Sequence, residues 1–168
     1  GGGILIDQGI HMLDLIRYFS GEKFNKINSY ITTAYWDIKV EDNAFVLMQS
    51  ENKVIASMHS SATQWKHKFL LEMCFEEGYI NLDGILSGTR SYAPEKLIIG
   101  RREFEDVTFA MGKPKESIVY FENDHSWNLE VDEFINAING VGIIKEGTFQ
   151  DAYETLSLVQ SVYENSEI

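Results

Sequence analysis

The spacing of apolar residues changes twice along the chain, and that pattern restricts the fold more than any other feature. Residues 1–21, GGGILIDQGIHMLDLIRYFSG, repeat at helical spacing; residues 24–121 alternate in short runs; residues 123–163 return to helical spacing. Strands are expected at 24–36, 44–49, 54–63, 68–75, 79–82, 96–99, 104–108 and 117–121, with turn-like breaks at 41–43, 51–53 and 76–78. Residues 111–114 (MetGlyLysPro) read as loop. Asn123-Asp124 opens a helical pattern that Gly140 ends, and Thr148 with Asp151 three residues on suits the start of a last helix. One helix, mostly sequence-adjacent strands and two helices imply an α+β domain. Its expected form is a large, mostly antiparallel or mixed open sheet with helices packed on one face.

Within the first segment Asp7, His11 and Asp14 sit at i, i+4 and i+7. At about 100° per residue they lie within about 60° of one another, and Tyr18 joins the same stripe. Met12, Leu15, Ile16 and Phe19 fall opposite, with Leu13 beside them, so the helix has a side to bury. Ser20-Gly21 is a helix stop. The stripe is narrow and carries no Lys or Glu, whereas a solvated face is normally filled with long charged side chains. The plain alternative is a solvated helix face. The three groups are also possible metal ligands, but no further ligand and base follow with their own spacing, and no metal is expected.

This opening run, Gly1-Gly2-Gly3-Ile4-Leu5-Ile6-Asp7-Gln8-Gly9-Ile10-His11-Met12-Leu13-Asp14, resembles the start of the C-terminal domain in the Gfo/Idh/MocA oxidoreductases. Residues 127–138 and the closing helix resemble that family's final two helices. The resemblance implies that residues 1–168 are a C-terminal substrate-binding and oligomerisation domain, with the Rossmann domain lying outside this chain. It implies an NAD(P)-dependent oxidoreductase moving a hydride between nicotinamide and a hydroxyl of a sugar, nucleotide sugar or cyclitol. NAD or NADP is then held mainly by the Rossmann domain, and this chain alone is expected to be inactive. His11 is the candidate for the hydroxyl proton, because an imidazole titrates near neutrality. Asp7 is expected to orient the ring and Asp14 to hold a substrate hydroxyl. The family's catalytic lysine lies in a Glu-Lys-Pro motif; here Glu95-Lys96 is followed by Leu97, and the role is not carried over. The alternative is a catalytically inactive sugar-binding or oligomerisation module. In either case the resemblance implies a homo-oligomer formed through the sheet face.

Charge and composition bound the partners. A net charge of −12 disfavours nucleic acid and anionic membranes, and no apolar run approaches the ~18 residues of a membrane span. The single cysteine, Cys74, sits in an apolar run and is expected as a buried small hydrophobe, consistent with a cytoplasmic setting. The G-x-G-x-x-G fingerprint is absent; Gly140-Val141-Gly142 follows a helix rather than a strand.

Two further stretches carry chemistry. GlnTrpLysHisLys (64–68) is read as lining a sugar pocket, with Gln64, Trp65 and Lys66 as substrate-binding residues, Trp65 stacking on a pyranose face and Lys66 or His67 holding an anionic group; an exposed loop is the plain alternative. Arg90, in GlyThrArgSerTyr (88–92), has the chemistry to bind a carboxylate or phosphate, although a surface loop is the simpler reading.

Overall fold

The structure, a computed structural model, describes residues 2–102, 114–145 and 147–167. The strand expected at 104–108 lies outside the described residues, as does the 111–114 loop except for Pro114. The described chain runs as a π-helical turn (Leu5–Gly9), α1 (Ile10–Ser20), β1 (Phe24–Thr32), β2 (Asn43–Ser50), β3 (Ile55–Ser61) and β4 (Leu70–Phe75). It continues as β5 (Gly78–Asp83), β6 (Glu95–Arg101), β7 (Glu116–Phe121), α2 (Ser126–Ile138), α3 (Phe149–Glu164) and β8 (Ser166–Glu167). The class is α+β. In place of one large sheet, the strands among the described residues form two four-stranded sheets, ordered β3-β2-β1-β8 and β4-β5-β6-β7. Alternation specifies strands but not their partners, so the division was not legible in the sequence. The chain separates into two compact units, Gly1–Gln64 with Ile143–Ile168, and Trp65–Gly142.

In the first unit β1, β2 and β3 pair as an antiparallel meander. The closing residues run parallel to β1 as the two-residue β8, an element with no sequence signal of its own. Inward-facing Val46, Met48 and Met58 meet Leu13 of α1 and Val159 and Val162 of α3 in one core cluster. Burial of each such side chain stabilises by about 1.5–3 kcal/mol. Thr148 caps α3 as its sequence indicates, its Oγ1 accepting from Asp151 N–H at 3.1 Å. Gly21, in the left-handed region at φ 65°, closes α1 by donating its N–H to Arg17 O.

β1 stops at Thr32, short of the alternation that runs to Trp36. The reason is Asp42, which is fully buried. Its carboxylate accepts the N–H groups of Ala34 (2.8 Å), Tyr35 (2.8 Å) and Trp36 (2.9 Å), together with Asn43 Nδ2 (3.0 Å). Those donors are lost to any strand ladder. The same bonds, Ala34 N–H and then Trp36 N–H foremost, hold the Asp42 carboxyl well below the usual carboxylate range.

In the second unit Phe75 pairs with Gly78 across a two-residue turn, and β5, β6 and β7 follow in antiparallel order. Cys74 is exposed, contrary to expectation. Strand alternation puts it on one face of β4 with Leu70 and Glu72, while Leu71 and Met73 take the more covered face. The helix α2 buries none of its residues, so the apolar stripe seen in the sequence stays open, with Trp127 73% exposed.

Candidate active site

The segment bearing Asp7 and His11 is fastened by a residue the sequence reading passed over. Glu41 O accepts Ile4 N–H at 3.0 Å, and Glu41 Oε1 accepts both Leu5 N–H (3.1 Å) and Tyr163 O–H (2.7 Å). A Cβ on Gly3 would stand 2.3 Å from Glu41 Oε2 and 2.4 Å from Glu41 O, so only glycine admits this approach. The glycine run was the available signal; its partner, 38 residues away, was not. Burial first, and the Glu41 bond second, push the Tyr163 hydroxyl pKa up. The π-helical turn follows directly and carries Asp7; such turns are rare and occur often at functional sites.

The stripe divides in two. Asp7 and His11 are exposed. Asp7 Oδ2 accepts from Gln8 Nε2 at 3.1 Å, and among the described residues no hydrogen bond joins Asp7 to the His11 ring. Asp14 belongs to the helix contact instead: its Oδ1 accepts from Thr155 Oγ1 (2.8 Å) and lies 3.5 Å from Arg17 Nη1. Its side chain stays 46% exposed, so the carboxylate keeps an accessible side. Arg17, only 12% exposed, also meets Asp151 Oδ1 (3.2 Å), Glu154 Oε2 (2.9 Å) and Thr155 Oγ1. This cation locks α1 to α3. Leu13 is fully buried with Met12 and Ile16 packed against the same core, while Phe19, at the end of the expected apolar side, is 44% exposed.

The 64–68 stretch falls on the boundary between the units, with Gln64 closing the first and Trp65 and Lys66 opening the second. All three are exposed, Trp65 at 86%. In the second unit His67 and Tyr92 bring their rings to 4.8 Å, which places the two loops singled out in the sequence side by side. His59 stacks on Phe45 at 3.9 Å on the outer face of the first sheet. Among the described residues no group of three His, Cys, Asp or Glu is placed to hold a metal ion.

The described residues do not form a dinucleotide cradle. Such a cradle needs a strand, a glycine-rich turn and a helix within a parallel sheet. Among the described residues the parallel pairing is the two-residue contact of β1 with β8, and β8 is reached from α3.

The first unit is thus a helix with a fastened glycine-rich start, laid on an antiparallel meander and locked to a C-terminal helix. Residues 1–81 match the family model described as GFO/IDH/MocA C-terminal domain. Comparison with curated proteins finds no match. Among solved structures, UDP-N-acetylglucosamine 3-dehydrogenase GnnA from Acidithiobacillus ferrooxidans is similar at 18% identity and TM-score 0.74, covering 98% of this chain and 47% of its own. Levoglucosan dehydrogenase, in complex with NADH and levoglucosan, is similar at 17% identity and TM-score 0.76, with 98% and 48% covered. The WlbA dehydrogenase from Bordetella pertussis, in complex with NADH and UDP-GlcNAcA, is similar at 17% identity and TM-score 0.69, with 98% and 43% covered. At these identities the likeness concerns the fold. The chain spans slightly less than half the length of each of these proteins.

Proposed function

We propose that this chain supplies the substrate side of an NAD(P)-dependent oxidoreductase acting on a hydroxyl of a sugar, nucleotide sugar or cyclitol. The observation that carries the reading is the placement of His11: an exposed imidazole two residues beyond a fastened π-helical segment, in a run that matches the family model. The names of the similar structures, which specify dehydrogenases of levoglucosan and of a nucleotide sugar, support the substrate class. NAD or NADP falls to a separate dinucleotide-binding domain, since the described residues form no cradle for it.

This chain's own contribution is proton handling and positioning. A ring nitrogen of His11 accepts the proton of the substrate hydroxyl, leaving an oxygen ready to become a carbonyl. Asp7 stands one helical turn earlier on the same exposed stripe, without a hydrogen bond to the ring. Asp14, held by Thr155, offers the accessible side of its carboxylate to a second hydroxyl, and Gln64, Trp65 and Lys66 contribute further substrate contacts.

The test is His11→Ala in the full-length enzyme. Turnover should fall about 10²- to 10⁴-fold, the usual range for a positioned acid–base group, with the melting temperature unchanged because the ring is exposed. A stable, fully active variant would remove His11 from the mechanism.

That alternative and the enzyme reading share one feature, self-association through the outer face of the first sheet. Tyr30, Phe45, Leu47 and Ile55 stand 50–65% exposed there. Sedimentation equilibrium at tens of micromolar should show a dimer or larger species; a strict monomer refutes this part of the reading.

A further inference from the structure

Two loops of the second unit, residues 65–69 and 84–94, meet at one end of the β4–β5 hairpin. Leu70 pairs with Asp83, Gly84 N–H donates to Phe69 O at 3.0 Å, and the His67 and Tyr92 rings lie 4.8 Å apart. Gly84, at φ 80°, closes the base of the longer loop. A Cβ there would fall 1.9 Å from Pro94 O and 2.7 Å from Tyr92 O, so the loop path depends on glycine.

The charge of this platform opposes that of the protein. Neither loop contains an Asp or Glu, although the whole chain has 26 acidic against 14 basic residues. The loops carry Lys66, Lys68 and Arg90, all exposed. Among the described residues none of these three has an ion pair, whereas neighbouring Lys96 is bound to Asp83 at 2.8 Å. Arg90 is one of two non-glycine residues described at positive φ (54°), with its N–H bonded to Ser87 O at 2.9 Å and its O to Ala93 N–H at 3.2 Å. Backbone strain of this kind persists where the surroundings impose it, and it concentrates at ligand-binding loops. Ser87, Thr89 and Ser91 add a row of hydroxyls, with Thr89 Oγ1 3.3 Å from Ser87 Oγ and 2.9 Å from Ser91 Oγ. One carboxylate reaches the longer loop, that of Glu95, whose Oε2 accepts Leu86 N–H at 2.6 Å and is thereby engaged with the backbone. Unpaired cations and hydroxyls are what a phosphate group requires. Trp65, 86% exposed at the head of the first loop, offers a flat face to a ring carried by the same ligand.

We propose that these loops form a phosphate-binding site for a ligand that joins phosphate to a stacking ring, such as a nucleoside diphosphate or its sugar conjugate. As a statement about the substrate, this rests on the proposed function and narrows it to phosphorylated carbohydrates; as a statement about binding, it stands without it.

The experiment is calorimetric titration of the 168-residue chain with UDP, pyrophosphate and uridine at two salt concentrations. UDP should bind and weaken as salt rises, because the contacts are ionic. The variant Lys66→Gln/Lys68→Gln/Arg90→Gly should lose affinity about 10- to 100-fold, as expected for removing charge-assisted hydrogen bonds. Glycine at position 90 relieves the positive φ, so this variant keeps its fold and its melting temperature serves as the control. Trp65→Ala should weaken UDP several-fold and leave pyrophosphate unchanged, which separates a nucleotide from phosphate alone. UDP binding that is equally tight in the triple variant, or uridine binding as tight as UDP, overturns the proposal. His11→Ala should leave UDP affinity intact, so failure of the catalytic reading and failure of this one give different results.

Discussion

The two units solve the problem of burying a sheet face differently. In the first, α1 and α3 cover one side of the meander, and Leu5, Leu13, Met48, Val159 and Val162 are almost fully excluded from solvent. In the second, Phe69 is the buried apolar side chain among the described residues, while Ile118, Val119, Tyr120 and Phe121 of β7 are 42–61% exposed. The order of the first unit therefore rests on a packed interior. That of the second rests on strand pairing and on turn residues such as Gly78 and Gly84. Fixed groups follow from the first arrangement and an adaptable surface from the second. The fastened π-helical turn with His11 lies in one unit, and the cationic loops lie in the other.

Core truncation should show this contrast most strongly. Leu13→Ala removes a fully buried side chain between α1, α3 and the sheet and should cost about 2–5 kcal/mol by chemical denaturation. A loss under 1 kcal/mol would mean that the first unit has no well-packed interior.

Acid should expose a second, smaller difference. The Asp42 carboxyl pKa is lowered in the folded state, so its stabilisation is complete above its ordinary value of 3.8 and is lost as pH falls from there toward the folded value. Asp42→Asn keeps the shape and removes the charge that four N–H donors face. Its stability at pH 7 should be lower than that of the parent, and the gap should narrow below pH 4. A gap that stays constant down to pH 2 would show that the carboxylate's charge is not what holds the 34–36 loop.

The smallest effect is expected in the second unit. Val119→Thr, on β7, exchanges one exposed β-branched residue for another and should change stability by no more than about 0.5 kcal/mol. A loss comparable to that of Leu13→Ala would mean that β7 is covered in solution, and the contrast between the units would fail.

Much of the first unit was legible in the sequence. The helix ending at Ser20-Gly21, the strands around residues 44–49 and 54–63, and the Thr148 cap all depend on groups a few residues apart, and local patterns record those. The family resemblance was legible for the same reason, since it lay in one contiguous run that the family model also matches. Tertiary structure decided where distant groups met. Asp42 took the backbone donors that would have extended β1 to Trp36. Arg17 paired with Asp151 and Glu154, more than 130 positions away, and Asp14 joined the same helix contact through Thr155. Glu41 reached back to the backbone at Ile4 and Leu5 and fixed the start of the site. In each case a buried polar or charged group needed partners, and which partners lay within reach was set by the packing of remote segments and not by spacing along the chain.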